Sequence, residues 1–202
     1  MNAAEHIVEA YFRLCRNCFT ISDRKVTSGN NRQLDILAYD LKKKQQFHIE
    51  VSVTHRETWC STTEELKAEF ERKFFGRPPK REGASKGATD FEKGKSYFSK
   101  IEEAYSECGF SPSSVKRVWV CWMVKAKDNS KPIVEQFSLD HPKGSFQIEI
   151  LSLREYVLPA LVEAIGTANY DDEILRIVGF MKERESQVKA QAHSVSNCTH
   201  FT

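Results

Sequence analysis

Two carboxylates carry the chemistry that this sequence could perform. Asp35 lies in "LDILAY" (34–39) and Glu50 in "FHIEVSVTH" (47–55). In the second stretch Phe47, Ile49, Val51 and Val53 alternate with His48, Glu50, Ser52 and Thr54, the period-two pattern of a strand. Glu50 therefore sits on the polar side of an otherwise apolar strand. A carboxylate in that position is either exposed on an open sheet face or neutralised by a partner. If the two strands pair through the intervening turn, Asp35 and Glu50 converge near one end of the sheet. Two carboxylates so placed repel, and a hard divalent cation such as Mg²⁺ or Mn²⁺ relieves the repulsion through oxygen ligands and retained waters. The backbone carbonyl of Val51 can complete such a site, and a glutamate of the first helix, Glu5 before Glu9, can face it as a third acid. Water bound to the ion becomes a better nucleophile, and the ion stabilises charge developing on a phosphate. Taken singly, Glu5 reads as a solvated helix-flank acid and Asp35 as a strand-start residue after "GNNRQ". Glu50 resists such a reading.

A helix bearing Glu5, a strand opening "LDILAYD", a turn, and then "HIEVSV" resembles the PD-(D/E)xK nuclease superfamily, the restriction-endonuclease-like fold. The resemblance covers residues 3 to about 54 in motif and reaches about residue 165 in the order of elements. It implies Asp35 and Glu50 as catalytic metal ligands, Glu5 as the helix acid, and Mg²⁺ or Mn²⁺ as cofactor. It further implies metal-dependent endonuclease activity on DNA phosphodiesters, with DNA favoured over RNA, and a possible homodimer. The sequence departs from the motif at one position: Ser52 stands where the family carries a lysine. Serine supplies no cation, so either another basic group reaches the same place or the domain binds without cutting. Lys73, in "ERKFFG" of the next helix, is the first candidate; Lys67, Lys25, His55 and Arg56 are the others. The alternative function is a catalytically inactive nuclease-fold module that binds nucleic acid or scaffolds a partner protein.

The elements that must position these residues are readable from periodicity. Residues 2–16 predict a helix with Ala4, Ile7, Val8, Tyr11, Leu14 and Cys15 on one stripe. Strands follow over 18–26, 34–39 and 47–54, the last two joined by the basic tip "DLKKKQQ". Helices are expected over 63–75 and 97–108, the latter ended by Gly109, with a nearly continuous apolar strand over 115–124. A strand over 146–151 and helices over 152–165, capped by Ser152, and 171–183 complete the order. A meander followed by a helical crossover into a buried strand argues for an α/β fold, a mixed β-sheet flanked by helices in the order α-βββ-α-α-β-β-α-α. One domain over 1–183 is expected, with a disordered polar tail over 184–202.

Residues 76–94, "GRPPKREGASKGATDFEKG", read as a long flexible loop. From Lys67 to Lys95 nine Lys or Arg stand against five Asp or Glu, a local basic excess in a chain whose formal net charge is only +2. Arg77, Lys80, Arg81, Lys86, Lys93 and Lys95 are the expected phosphate contacts. Phe74, Phe75 and Phe98, beside basic residues, could stack on unpaired bases or pack as helix faces.

The 202 residues, 40% hydrophobic and 29% charged, suit one globular domain. No signal-peptide pattern and no apolar run near the roughly 18 residues of a membrane span occur, so a cytoplasmic or nucleoid-associated protein without membrane contact is expected. Six scattered cysteines read as reduced thiols. Cys15 and Cys18 form a single CxxC with no second pair to complete a zinc site. Walker and GxGxxG patterns are absent, and the single GxSxG match, "GASKG" (83–87), falls in the expected loop instead of at a strand-to-helix turn.

Overall fold

Asn2 opens the first helix through a reciprocal cap. Its Oδ1 accepts the backbone N–H groups of Ala4 and Glu5, both at 3.0 Å, while Glu5 Oε2 accepts the N–H of Asn2 at 2.8 Å. Three donors that a helix start leaves orphaned are thereby satisfied. The helix that follows, α1 (Ala3–Leu14), buries Val8, Ala10, Tyr11 and Phe12, members of the stripe predicted from its spacing or flanking it.

The computed structural model describes residues 1–27, 32–53, 64–76, 97–123, 134–141, 144–166 and 170–198. After α1 the chain forms β1 (Cys18–Lys25), β2 (Gln33–Asp40), β3 (Gln45–Ser52), α2 (Glu64–Phe75), α3 (Phe98–Glu107) and β4 (Val115–Cys121). The hairpin strands β5 (Val134–His141) and β6 (Gly144–Ser152) come next. A π-helical turn, Leu153–Val157, runs into α4 (Leu158–Ala164), and α5 (Glu173–Cys198) ends the described chain.

All six strands join one mixed sheet in the order β1-β2-β3-β4-β6-β5. The first three form an antiparallel meander; β3 and β4 run parallel, as do β4 and β6, and β5 returns antiparallel on the edge. The turn between β2 and β3 is held by Asp40, whose Oδ1 accepts the N–H groups of Lys42 and Lys43 at 2.9 and 3.0 Å.

Period-two alternation sends side chains to both faces, and both are covered. On one face Ile36, Ala38, Phe47, Ile49, Val51, Val118 and Val120 pack with α1 and the π-helical turn. On the other, Phe70, Phe74 and Phe75 of α2 and Phe98 of α3 close over Trp119, Cys121, Ile148 and Ile150. The sheet flanked by helices is thus as expected. The side of β3 that reads as polar in the sequence is nonetheless interior: His48 and Glu50 are both 0% exposed. Phe74, Phe75 and Phe98 are buried too, so base stacking by these rings is replaced by core packing.

Three expectations need correction. The sheet has six strands where five were expected, because β5 hides its pattern. Among its described side chains, this edge strand turns Phe137 and Leu139 to the interior between exposed Gln136, Ser138 and Asp140. The single helix expected from Ser152 begins instead as a π-helical turn, although Ser152 does cap it, its Oγ accepting the Glu155 N–H at 3.0 Å. The tail expected to lose structure from Arg184 is helical to Cys198. Its run "RESQVKAQ" contains no Gly or Pro and is rich in good helix formers, so the backbone continues even with exposed side chains. No helix among the described residues is long and apolar enough to cross a membrane.

Candidate active site

The candidate site forms where β2 and β3 part. Their antiparallel ladder runs from Asp40↔Gln45 to Ile36↔Ile49 and ends there, while β3 continues to pair with β4 through Ser52↔Cys121. Beyond the last pair, the Val51 N–H donates to the Asp35 carboxylate, at 2.9 Å from Oδ2. A side chain thus replaces a ladder bond, which satisfies a buried N–H and fixes the Asp35 carboxylate beside the β3 backbone.

Lys73 closes the opening from above. Its helix α2 buries Phe70 and Phe74 against the sheet, which leaves the position one residue before Phe74 to point along the sheet toward the parted strands. Nζ lies 2.7 Å from Glu50 Oε2 and 3.7 Å from Asp35 Oδ2. The approach to Oε2 lies off the direction of a hydrogen bond, so this oxygen makes none among the described residues although it is buried. Opposite charge at this short distance holds the pair together.

The second oxygen of Glu50 is held from within the sheet. His48, two residues earlier on the same face, stands with Nε2 2.8 Å from Oε1. Its Nδ1 is 2.7 Å from the hydroxyl of Tyr105 on α3. Arg32, just before β2, donates from Nη2 to the main-chain carbonyl of Lys73 and so ties the last turn of α2 to the sheet.

Charge placement explains the protonation of each group. For Asp35, burial and then the Glu50 charge push the carboxyl up to about 7, against the opposing effects of Lys73 and the Val51 N–H. Burial also acts against an ionised Glu50, but the hydrogen bond from His48 and the Lys73 charge outweigh it and hold this carboxyl below its ordinary range. Burial would lower Lys73 as well; the two carboxylates outweigh it and keep the ammonium charged. His48 is held below its ordinary value, mainly by burial and further by the nearby Arg117 and Arg32 charges, so it is neutral.

Compared with protein-family models, curated proteins and solved structures, the chain finds no match. The site is therefore read from its own geometry.

Of the expected site residues, the fold brings together Asp35, Glu50, Lys73 and Val51. It does not bring Glu5 into contact with them. Both Glu5 oxygens are taken by Asn2, Oε2 by its N–H and Oε1 by its side-chain amide at 2.6 Å, although the Glu5 charge still reaches Asp35. Glu9 is committed to β1, accepting from Thr20 Oγ1 at 2.7 Å and Ser22 Oγ at 2.8 Å. Arg77, Lys80, Arg81, Lys86, Lys93 and Lys95, together with His55 and Arg56, lie outside the described residues. Cys15 and Cys18 are free thiols, and burial pushes Cys18 up to about 11.

Three neighbours escaped the sequence reading. His48 carried a signal in its position two residues before Glu50, which places both on one strand face. Arg32 and Tyr105 carried none, since only the packing of α2 and α3 on the sheet brings them in.

The two carboxylates fit a hard divalent ion as far as their chemistry goes. Glu50 Oε2 is a buried oxygen without a directed hydrogen bond, Asp35 is a second carboxylate beside it, and both are oxygen donors of the kind Mg²⁺ and Mn²⁺ accept. Among the described residues no cluster of three or more His, Cys, Asp or Glu side chains surrounds a common point. An ion held by two carboxylates, with waters or substrate phosphate as its other ligands, is the arrangement typical of Mg²⁺.

Proposed function

We propose that the protein is a metal-dependent endonuclease of the PD-(D/E)xK type that hydrolyses DNA phosphodiesters. The observation that carries this reading is the Asp35–Glu50–Lys73 constellation, in which α2 supplies the cation that Ser52 does not. The meander β1-β2-β3, followed by a helical crossover into a parallel β4, supports it in topology.

In this reading Asp35, Glu50 Oε2 and the carbonyl of Val51 would hold Mg²⁺ or Mn²⁺. When bound, the ion supplies an acidified water and charge stabilisation on the scissile phosphate. Lys73 keeps its proton beside the two acids and offers ammonium N–H donors at the place where a water or a phosphate oxygen would meet them. Arg32 holds the backbone of Lys73, so the ammonium does not depend on the flexible lysine stem alone for its position. The basic residues from Arg77 to Lys95 would grip the phosphate backbone.

A second reading is favoured by the same contact. The Lys73–Glu50 pair neutralises Glu50 without any metal, as a retired site that only binds nucleic acid or a partner protein would need. Titrating Mn²⁺ and Mg²⁺ into wild-type and Glu50→Ala protein with plasmid and single-stranded DNA separates the two. Metal-dependent cutting that Glu50→Ala abolishes supports the nuclease. DNA binding that requires neither metal nor Glu50, with no cutting of either substrate, supports the binding module.

A further inference from the structure

We propose that Tyr105 and His48 are positioning residues that lock the Glu50 carboxylate by its Oε1, leaving Oε2 turned toward Lys73 and the metal position. The inference rests on the assignment of Glu50 as a metal-binding acid and adds to it the device that aims that acid.

All three side chains are fully interior. Tyr105, His48 and Glu50 are each 0% exposed, and they come from two elements, α3 and β3. The contacts are short and consecutive: the Tyr105 hydroxyl at 2.7 Å from His48 Nδ1, and His48 Nε2 at 2.8 Å from Glu50 Oε1. A carboxylate only accepts, so the hydrogen between His48 and Glu50 belongs to Nε2. Nδ1 is then the acceptor, and the Tyr105 O–H donates to it. Burial keeps that hydroxyl protonated.

Ring packing fixes the direction of the chain. The His48 imidazole meets Phe74 edge-on at 5.1 Å and Tyr105 at 5.6 Å, with interplanar angles of 82° and 67°. Such contacts leave the imidazole no freedom to turn away. A carboxylate with one oxygen pinned by a rigid donor cannot rotate about its last torsion, so its other oxygen faces one direction. A donor behind a metal-binding side chain sets its orientation, and removing it typically costs about 10–100-fold in metal affinity or activity. The outward neighbour of Glu50 is Lys73, and the inward one is this pair.

Three variants test the assignment: Tyr105→Phe, which removes only the hydroxyl; His48→Gln, which retains a donor toward Glu50; and His48→Leu, which retains none. Mn²⁺ affinity without nucleic acid, the long-range ¹H–¹⁵N signals of the His48 ring and metal-dependent plasmid cleavage are measured for each and for wild type. The expected wild-type ring carries its proton on Nε2. Tyr105→Phe and His48→Leu should lower Mn²⁺ affinity by about 10-fold or more, with His48→Gln recovering part of the loss. A ring with bare Nε2, or Tyr105→Phe and His48→Leu proteins that bind Mn²⁺ within twofold of wild type, overturns the proposal. Wild-type protein that neither binds Mn²⁺ nor cuts DNA overturns the nuclease reading and this inference together. Normal wild-type binding and cutting with unaffected variants overturns the inference alone.

Discussion

Lys73 Nζ stands 2.7 Å from Oε2 of Glu50, although one residue belongs to α2 and the other to β3. The strand position that faces the same side two residues after Glu50 is occupied by Ser52, which is half-buried and in register with Cys121. A cation missing from the strand is thus provided by the helix that packs over it. The buried pair is costly to form and more costly to break, since removing one partner leaves an uncompensated interior charge.

Lys73→Met should therefore have two separable effects. In metal-free protein it exposes Glu50 as an unpaired buried carboxylate and should lower stability by about 3–5 kcal/mol. Saturating Mn²⁺ should restore part of that loss, because a ligand bound only by the folded state stabilises it. Cleavage should fall by about 100-fold even with metal present, as for the loss of one preorganised donor to a developing anion. Adding Ser52→Lys to the same protein should recover activity in part. Chemical denaturation with and without Mn²⁺, and single-turnover cleavage, check each component.

Asp35 makes metal-free stability depend on pH. Its folded carboxyl is raised from 3.8 to about 7, so between these values the folded protein holds a proton that the unfolded chain has released. The sign follows: stability falls as pH rises through that window, and the loss is complete above about 7. Asp35→Asn keeps an acceptor for the Val51 N–H and removes the charge. The variant should be more stable than wild type at pH 8 by up to about 4 kcal/mol and nearly equal to it at pH 4, while losing Mn²⁺ binding. Denaturant titrations of both proteins at pH 4, 6 and 8 without metal read the difference directly.

Gly76 terminates α2 close behind Lys73, with φ at +66°. A Cβ added there would lie 2.8 Å from Tyr97 Cβ, and Tyr97 donates its N–H to the Gly76 carbonyl at 3.1 Å. Gly76→Ala meets both a left-handed backbone and the Tyr97 clash, so it should cost more than the roughly 1–2 kcal/mol of the backbone conformation alone. Because the last turn of α2 carries Lys73, the loss in cleavage should exceed that of Gly109→Ala. Gly109 also has positive φ, +76°, but its Cβ would meet open space. Thermal melts and cleavage rates of the two variants make the comparison.

If the protein binds DNA as proposed, the basic stretch sets how that binding responds to salt. Replacing Arg77, Lys80 and Arg81 together by alanine should weaken binding to all sequences alike. It should also reduce the slope of log K against log salt by about 2–3 if each contacts one phosphate. Binding isotherms between about 50 and 200 mM salt measure both quantities.

Much of the scaffold was legible because burial imposes local periods. The stripe of α1, the alternation in β3 and the apolar run of β4 each follow from one element meeting the core. Asp35 and Glu50 stood out for the same reason, as acids set into such patterns. β5 was not legible, since an edge strand buries only alternate residues and needs few apolar ones. The helical continuation of α5 was missed because helix propensity needs no apolar stripe to act.

The sequence by itself determined that two acids lie on adjacent strands, that no lysine follows Glu50 at the motif spacing, and that several basic residues could replace it. Only the tertiary structure decided among them. The packing of Phe70 and Phe74 on Trp119 sets the rotation of α2 and so delivers Lys73 rather than Lys67 to Glu50. A separate set of contacts, Ile101, Ala104 and Tyr105 of α3 against Leu34, Leu37 and Val115 of the sheet, docks α3 and places Tyr105 against His48. Rotation and docking of a helix depend on contacts between residues far apart in the chain, and no local pattern encodes them.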